Sequence, residues 1–219
     1  MDVVGVFRMK VTVDKSVLCK RYAGFTVALL VCALGVALVT NACLGTSPIT
    51  SLPYVGSRIL GLSLGTLTFA LNVLLLIWQK LLLGREFRAT HLFQLPAVFL
   101  FRVFIDVGMA LTAGLASENY LSQMIMCVAG CAVLGLGISM EIVSNVTVLP
   151  GEGIVIAIAY RFKKIFGRIK VLFDVSLVAL SVALSLAFLS GLVGIREGTV
   201  LSALLVGNFV RLTSPAVRK

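Results

Sequence analysis

A chain of 219 residues in which 59% of side chains are apolar and only 13% charged, with a mean hydropathy of +1.09, departs from soluble domains, where about half are apolar and about a quarter charged. Such a composition belongs in a lipid bilayer, and six spans of about 20 residues would consume most of the chain, which excludes a separate soluble domain. The net charge of +10 lies in blocks between apolar runs, which is topological patterning and not a nucleic-acid-binding surface.

Residues 1–23 read as a cytoplasmic amino-terminal segment. They mix charges throughout and lack a short apolar region with a small-residue cleavage site, so no cleavable leader is expected and the first span itself serves as the insertion signal. Apolar runs follow at 24–44, 62–83, 93–113, 121–143, 171–189 and 197–212, each near the length a helix needs to cross about 30 Å of hydrocarbon. The sixth has a short continuous core, 199–210, so a re-entrant segment competes with a full crossing, which the basic tail at 213–219 favours.

All of the 19 Lys and Arg except Arg58, Arg102 and Arg196 fall before the first run, at the close of or after the second, after the fourth or at the carboxyl end. The positive-inside rule then places both termini in the cytoplasm with an even number of spans. Lys163, Lys164, Arg168 and Lys170, interleaved with Phe166 and preceded by Phe162, make a basic amphipathic segment whose natural partner is anionic lipid at the cytoplasmic face, although topology alone would also explain the charges.

Sliding the chain against itself by 102 residues pairs Pro48 with Pro150, Asn72 with Asp174 and Asp106 with Asn208. A three-span unit inserted twice must be inverted the second time, so the expected fold is an all-α integral membrane protein of six transmembrane helices in a 3+3 inverted repeat, 24–113 and 114–212. Such symmetry places a solute site near the midplane between the halves. Interrupted or re-entrant segments are expected after spans one and four, where G-T-S-P-I-T-S-L-P-Y (45–54) and V-L-P-G-E-G (148–153) precede short apolar stretches. Ser47 before Pro48 is helix-start chemistry, with the hydroxyl accepting from orphan amides and proline in the first turn. A helix start aimed into a cavity would bind an anion; the alternative is that each motif is a surface turn.

Arg102 and Asp106 stand one turn apart in the third span and can pair, either to hold a substrate carboxylate or phosphate or simply to neutralise one another. Asp174, four residues after Lys170, is either salt-bridged at the interface or a coupling site for a cation or proton. Glu152 reads as a solvated turn residue or as a gate or cation ligand, Glu141 as another acid near a cavity, and His91 as interfacial. Five cysteines, an odd number mostly within apolar runs, argue against a disulfide framework; Cys127 and Cys131 read as helix packing and not as a metal site. There is no nucleophilic triad and no phosphate loop, so neither enzyme activity nor a cofactor is expected.

The 45–54 stretch, Ser63-Leu64-Gly65-Thr66, Asn72, Leu149-Pro150-Gly151-Glu152-Gly153, Phe173-Asp174 and Arg196-Glu197-Gly198-Thr199 together resemble the bacterial YczE-like membrane proteins, a group related to the YitT-like family, over residues 20 to 212. The resemblance implies a small multi-pass protein of the bacterial cytoplasmic membrane without assigned biochemistry, and supplies no catalytic residue. The expected function is a small secondary transporter or permease-like protein for a polar or anionic solute, with Thr46, Ser47, Asn72, Arg102, Asp106, Glu152 and Asp174 lining or gating a central cavity. A non-transporting accessory protein that uses its basic loop is the alternative.

Overall fold

The structure is a computed structural model that describes residues 15–87 and 89–217. Arg8, Lys10, Arg88, Arg218 and Lys219, which entered the topology argument, lie outside the described residues. The described chain contains no strand and folds into eight α-helices: α1 (Lys15–Asn41), α2 (Pro48–Leu60), α3 (Leu64–Leu83), α4 (Gln94–Thr112), α5 (Tyr120–Ser144), α6 (Pro150–Arg161), α7 (Phe166–Leu189) and α8 (Glu197–Val217).

Five stretches, Leu18–Asn41, Leu64–Glu86, His91–Leu115, Tyr120–Ser144 and Phe166–Leu189, are long and apolar enough to cross a membrane. The expected sixth span is present as the helix α8, in which Glu197–Val210 is an apolar stretch shorter than the other five. In α1 the helix begins nine residues ahead of the apolar run, so Lys20 and Arg21 belong to its first turns. Only helices satisfy their own backbone groups in hydrocarbon, and their outer faces carry exposed Leu74, Ile77, Trp78, Phe99, Leu172 and Phe188, the surface that lipid would cover.

α1 and α5 form the central crossing, and glycine brings their backbones together. A Cβ on Gly35 would stand 2.5 Å from the Leu134 amide nitrogen, one on Gly137 2.6 Å from that of Cys32, and one on Gly130 2.8 Å from that of Val39. Numbers rise on one helix as they fall on the other, so the two run antiparallel with small residues at the seam, as expected where packing and not water exclusion drives association. Cys127 and Cys131 sit in this seam, fully buried against Val39, Ala42 and Leu44. Phe25, Leu29 and Val36 of α1 pack with Phe101 and Ile105 of α4 to complete the core.

The offset of 102 recurs in three dimensions. Helices start at Pro48 and Pro150, and at Leu64 and Phe166. Adding or subtracting 102 exchanges the close pair Cys32/Gly137 with Leu134/Gly35, and exchanges Ser51/Ser181, whose hydroxyls are 2.9 Å apart, with Gly153/Gln79. The first turns of the two short helices meet where the Ile49 side chain lies against Gly151, a pair itself separated by 102. The helix contacts differ in two respects: α3 packs along α4 and α2 touches α8, whereas their counterparts, α7 with α8 and α6 with α4, are in at most marginal contact.

The two ends of the bundle differ in charge. Where α1 and α4 begin and α3, α5 and α6 finish lie Lys20, Arg21, Arg85, Arg161, Lys163, Lys164 and Arg168; at the opposite end Arg58 and Arg196 are matched by Glu118 and Glu197.

Candidate functional site

α2 and α6 are short, and each starts inside the bundle. After α5 the chain turns back from the basic end, and the buried Glu141 side chain accepts a hydrogen bond from the Leu149 amide (3.0 Å). Asn72 on α3 accepts from the Gly151 amide (3.3 Å) while donating to the Thr68 carbonyl (2.8 Å). Gln79, also on α3, donates to the Pro150 carbonyl (3.0 Å) and to the Gln94 side chain (3.4 Å). The Glu152 and Gly153 amides bond the Leu149 carbonyl at 3.0 and 2.9 Å. These side chains satisfy a helix start that would otherwise leave orphan amides away from water. They also occupy the donors that an anion would have used, so this start is a clamped joint and not an open anion site.

At α2 the expected cap also differs. The Ser47 hydroxyl makes no bond to a helix amide; it lies 2.8 Å from the Thr50 hydroxyl, while the Ser47 carbonyl takes the Thr50 and Ser51 amides at 3.0 and 2.9 Å. The carbonyl does the capping and leaves the hydroxyl free to pair sideways.

Between the two helix starts lies a cavity of about 1280 Å³, a size that admits a drug-sized ligand. Ser47, Asn72, Glu152 and Asp174 line it together, with Glu141 and Lys170. Its rim at the basic end includes exposed Tyr22, Phe93 and Asn145; His91, stacked on Phe87 at 4.8 Å, is also there. On one side it reaches between α7 and α8, past Val171 and Asp174 on one helix and Ala203 and Gly207 on the other. Asp174 is bridged to Lys170 at 2.9 Å, one of the two readings open from sequence.

The opposite end is sealed. The Thr46 amide and hydroxyl donate to the Gly194 carbonyl at 3.0 and 3.2 Å, Arg196 Nη1 donates to the Cys43 carbonyl (3.2 Å), and the Gly198 amide donates to the Leu44 carbonyl (2.8 Å). The Tyr54 ring lies against Gly194, whose φ of 73° and lack of a side chain permit the approach. Thr46 therefore belongs to this seal and not to the cavity wall.

Arg102 and Asp106 stand apart from the cavity, and the expected ion pair between them is absent among the described residues. Asp106 instead accepts from the Ser63 hydroxyl (2.8 Å) and the Gly65 amide (2.9 Å), capping the start of α3. A carboxylate is more strongly held by orphan amides and the positive end of a helix than by a flexible partner one turn away. Gly65 is required there because a Cβ would meet the Arg102 carbonyl.

Glu152, expected as a solvated turn residue or a gate, is in the first turn of α6 facing the cavity, half-buried. Thr68, Gln79 and Gln94 were not anticipated. Thr68, Asn72 and Gln79 recur at helical spacing on one face of an otherwise apolar span, which is the signal that could have found them.

The chain is similar to the uncharacterized protein YyaS of Bacillus subtilis (strain 168), 26% identical over 201 residues that cover 91% of this chain and 94% of that protein. No solved structure shows significant similarity to it. Neither this relative nor the matching family carries the YczE-like label that the motifs suggested. The model of the family of unknown function DUF6198 matches residues 19–215, and on that match the chain belongs to this family.

Proposed function

We propose that the protein is a secondary transporter of a small solute, built as a 3+3 inverted repeat whose two short helices enter from opposite faces, in the cytoplasmic membrane of a bacterium. The observation that carries this reading is the cavity at the meeting point of the α2 and α6 starts, bounded by polar side chains from both halves, rimmed at one end and sealed at the other. A cavity accessible from one face only is what one state of an alternating-access carrier presents. The recurrence of the 102-residue offset in helix starts and contact pairs, and the antiparallel crossing of α1 and α5, support the inverted arrangement. The basic end is then cytoplasmic, along with both termini, and the state is inward-open.

The exposed segment after α6, with Phe162, Lys163, Lys164 and Ile165 all at the surface, suits anionic lipid headgroups at that face; this contact is compatible with transport.

A thermal-shift screen of the purified protein against small solutes tests the reading. A solute bound only by the folded state adds about 2.7 kcal/mol at 100 times its dissociation constant, so at least one should raise the melting temperature. Substitution of Ser47 by leucine, which fills the cavity floor, should abolish that shift. A shift that survives the substitution would move binding elsewhere.

A further inference from the structure

The transport reading leaves the solute unnamed, and the cavity's own chemistry narrows it. Three carboxylates face the cavity, Glu141, Glu152 and Asp174, against one lysine, Lys170. That lysine is already bridged to Asp174 at 2.9 Å, and Glu141 is held by the Leu149 amide. The Glu152 side chain faces the space from the first turn of α6 and makes no hydrogen bond to another described residue, its backbone amide being bonded to the Leu149 carbonyl. Among the described residues the cavity therefore carries more carboxylates than cations, Lys170 being shared between Asp174 and the neighbourhood of Glu152, which is hostile to an anion.

A second, independent observation lies on α3. Thr68 is only 5% exposed, lines the same cavity, and its hydroxyl oxygen lacks any hydrogen-bond partner among the described residues. A buried hydroxyl without a partner is destabilising, and a ligand donor at this place would satisfy it. Thr68 stands one helical turn before Asn72, which holds the Gly151 amide next to Glu152, so the orphan hydroxyl and the free carboxylate belong to neighbouring elements of one wall.

The remaining walls are mostly apolar, with polar side chains such as Gln79, Gln94 and Ser202 among them. Phe93, Phe101, Leu134, Ile138 and Phe166 line the cavity, and among the described residues no three His, Cys, Asp or Glu side chains converge as a metal site. Mostly apolar and aromatic walls beside the Glu152 carboxylate favour a bulky cation with low hydration over a bare metal ion, with aromatic faces adding attraction. The gap between α7 and α8 extends the cavity to the lipid-facing side, a route for a solute that partitions into the bilayer.

We propose that this cavity binds an amphipathic organic cation, with Glu152 as its counter-ion and the Thr68 hydroxyl as a hydrogen-bonding group, entering through the α7–α8 gap. The proposal rests on the transporter reading for its purpose, but its test does not. Tetraphenylphosphonium is the probe, with tetraphenylborate as its anionic isostere. Binding is measured by equilibrium dialysis on the purified full chain in a neutral detergent. The expected result is saturable binding of tetraphenylphosphonium that weakens at least about tenfold in Glu152→Gln, as loss of a charged partner implies, with no saturable binding of tetraphenylborate. An unchanged melting temperature of Glu152→Gln shows that the variant folds. Adding dodecylammonium, which carries N–H donors that the phosphonium lacks, to wild type and Thr68→Val should reveal a loss confined to the ammonium. Tetraphenylborate binding, or phosphonium binding indifferent to Glu152→Gln, would overturn the proposal while leaving the solute screen to decide on transport. Phosphonium binding in a protein whose cavity is reached from the same single face under every condition would keep the cation site and reject the carrier.

Discussion

Substituting Gly35 by valine should leave little folded protein. At this position even a methyl group would stand 2.5 Å from the Leu134 nitrogen and 2.7 Å from its Cα, so the obstruction is backbone, which cannot rotate away as a side chain can. Overpacking a core costs about 1–3 kcal/mol where neighbours can adjust; prying α1 from α5 along their antiparallel seam should exceed that range, to at least about 3 kcal/mol. Gly137→Val opens the same seam from the other helix, against Cys32, so the double variant should be scarcely worse than either single one, because neighbouring substitutions that relieve the same strain are not additive. Gly167→Ala, which has nothing within 4 Å, is the control and should behave as wild type. Denaturant titration in detergent, read by the fraction of monodisperse protein, distinguishes these outcomes. A stable Gly35→Val would mean that α1 and α5 do not meet as described.

The native cysteines give a second all-or-none result. Cys19 is exposed on the first turns of α1 at the basic end, and Cys43 is exposed in the turn after α1 at the other. With the basic end in the cytoplasm, a membrane-impermeant maleimide applied to intact cells should label Cys43 alone. Cys43→Ser should remove the signal, and permeabilising the cells should restore labelling through Cys19. Labelling of Cys19 in intact cells would invert the orientation and with it the inward-open assignment.

Much of this arrangement is written in local pattern. The apolar runs set α3, α4 and α5 to within two residues at each end, while α1 begins nine residues and α7 five residues ahead of theirs, and the two proline motifs, 102 apart, start α2 and α6 at Pro48 and Pro150. Proline loses no helical amide in a first turn, which suits both starts, although Leu52-Pro53 lies within α2 and Ser214-Pro215 within α8. What sequence could not supply is which group a polar side chain meets. Asp106 is near Arg102 along the chain, yet it turns to Gly65, because α3 happens to begin at its level. Asn72 and Asp174 look equivalent by offset, yet Asn72 clamps α6 while Asp174 is drawn to Lys170. That difference, together with the α7–α8 gap, is an asymmetry between halves that no periodicity encodes. Thr68 passed unnoticed since a threonine in an apolar span usually bonds its own helix; only the surrounding cavity reveals that its hydroxyl does not.

The central claim, that one cavity serves both faces in turn, is tested most directly at its floor. Ser47 is buried, lines the cavity, and adjoins the Thr46–Gly194 seal. With the five native cysteines replaced, Ser47→Cys should react with a small membrane-impermeant methanethiosulfonate applied to inverted vesicles, where the basic end faces the reagent. It should react as well, more slowly, in right-side-out vesicles, as the seal at residues 43–46 and 194–198 opens. Reaction from both faces is the result predicted for an alternating carrier; reaction from the basic face alone, at every temperature and solute concentration tried, would contradict it.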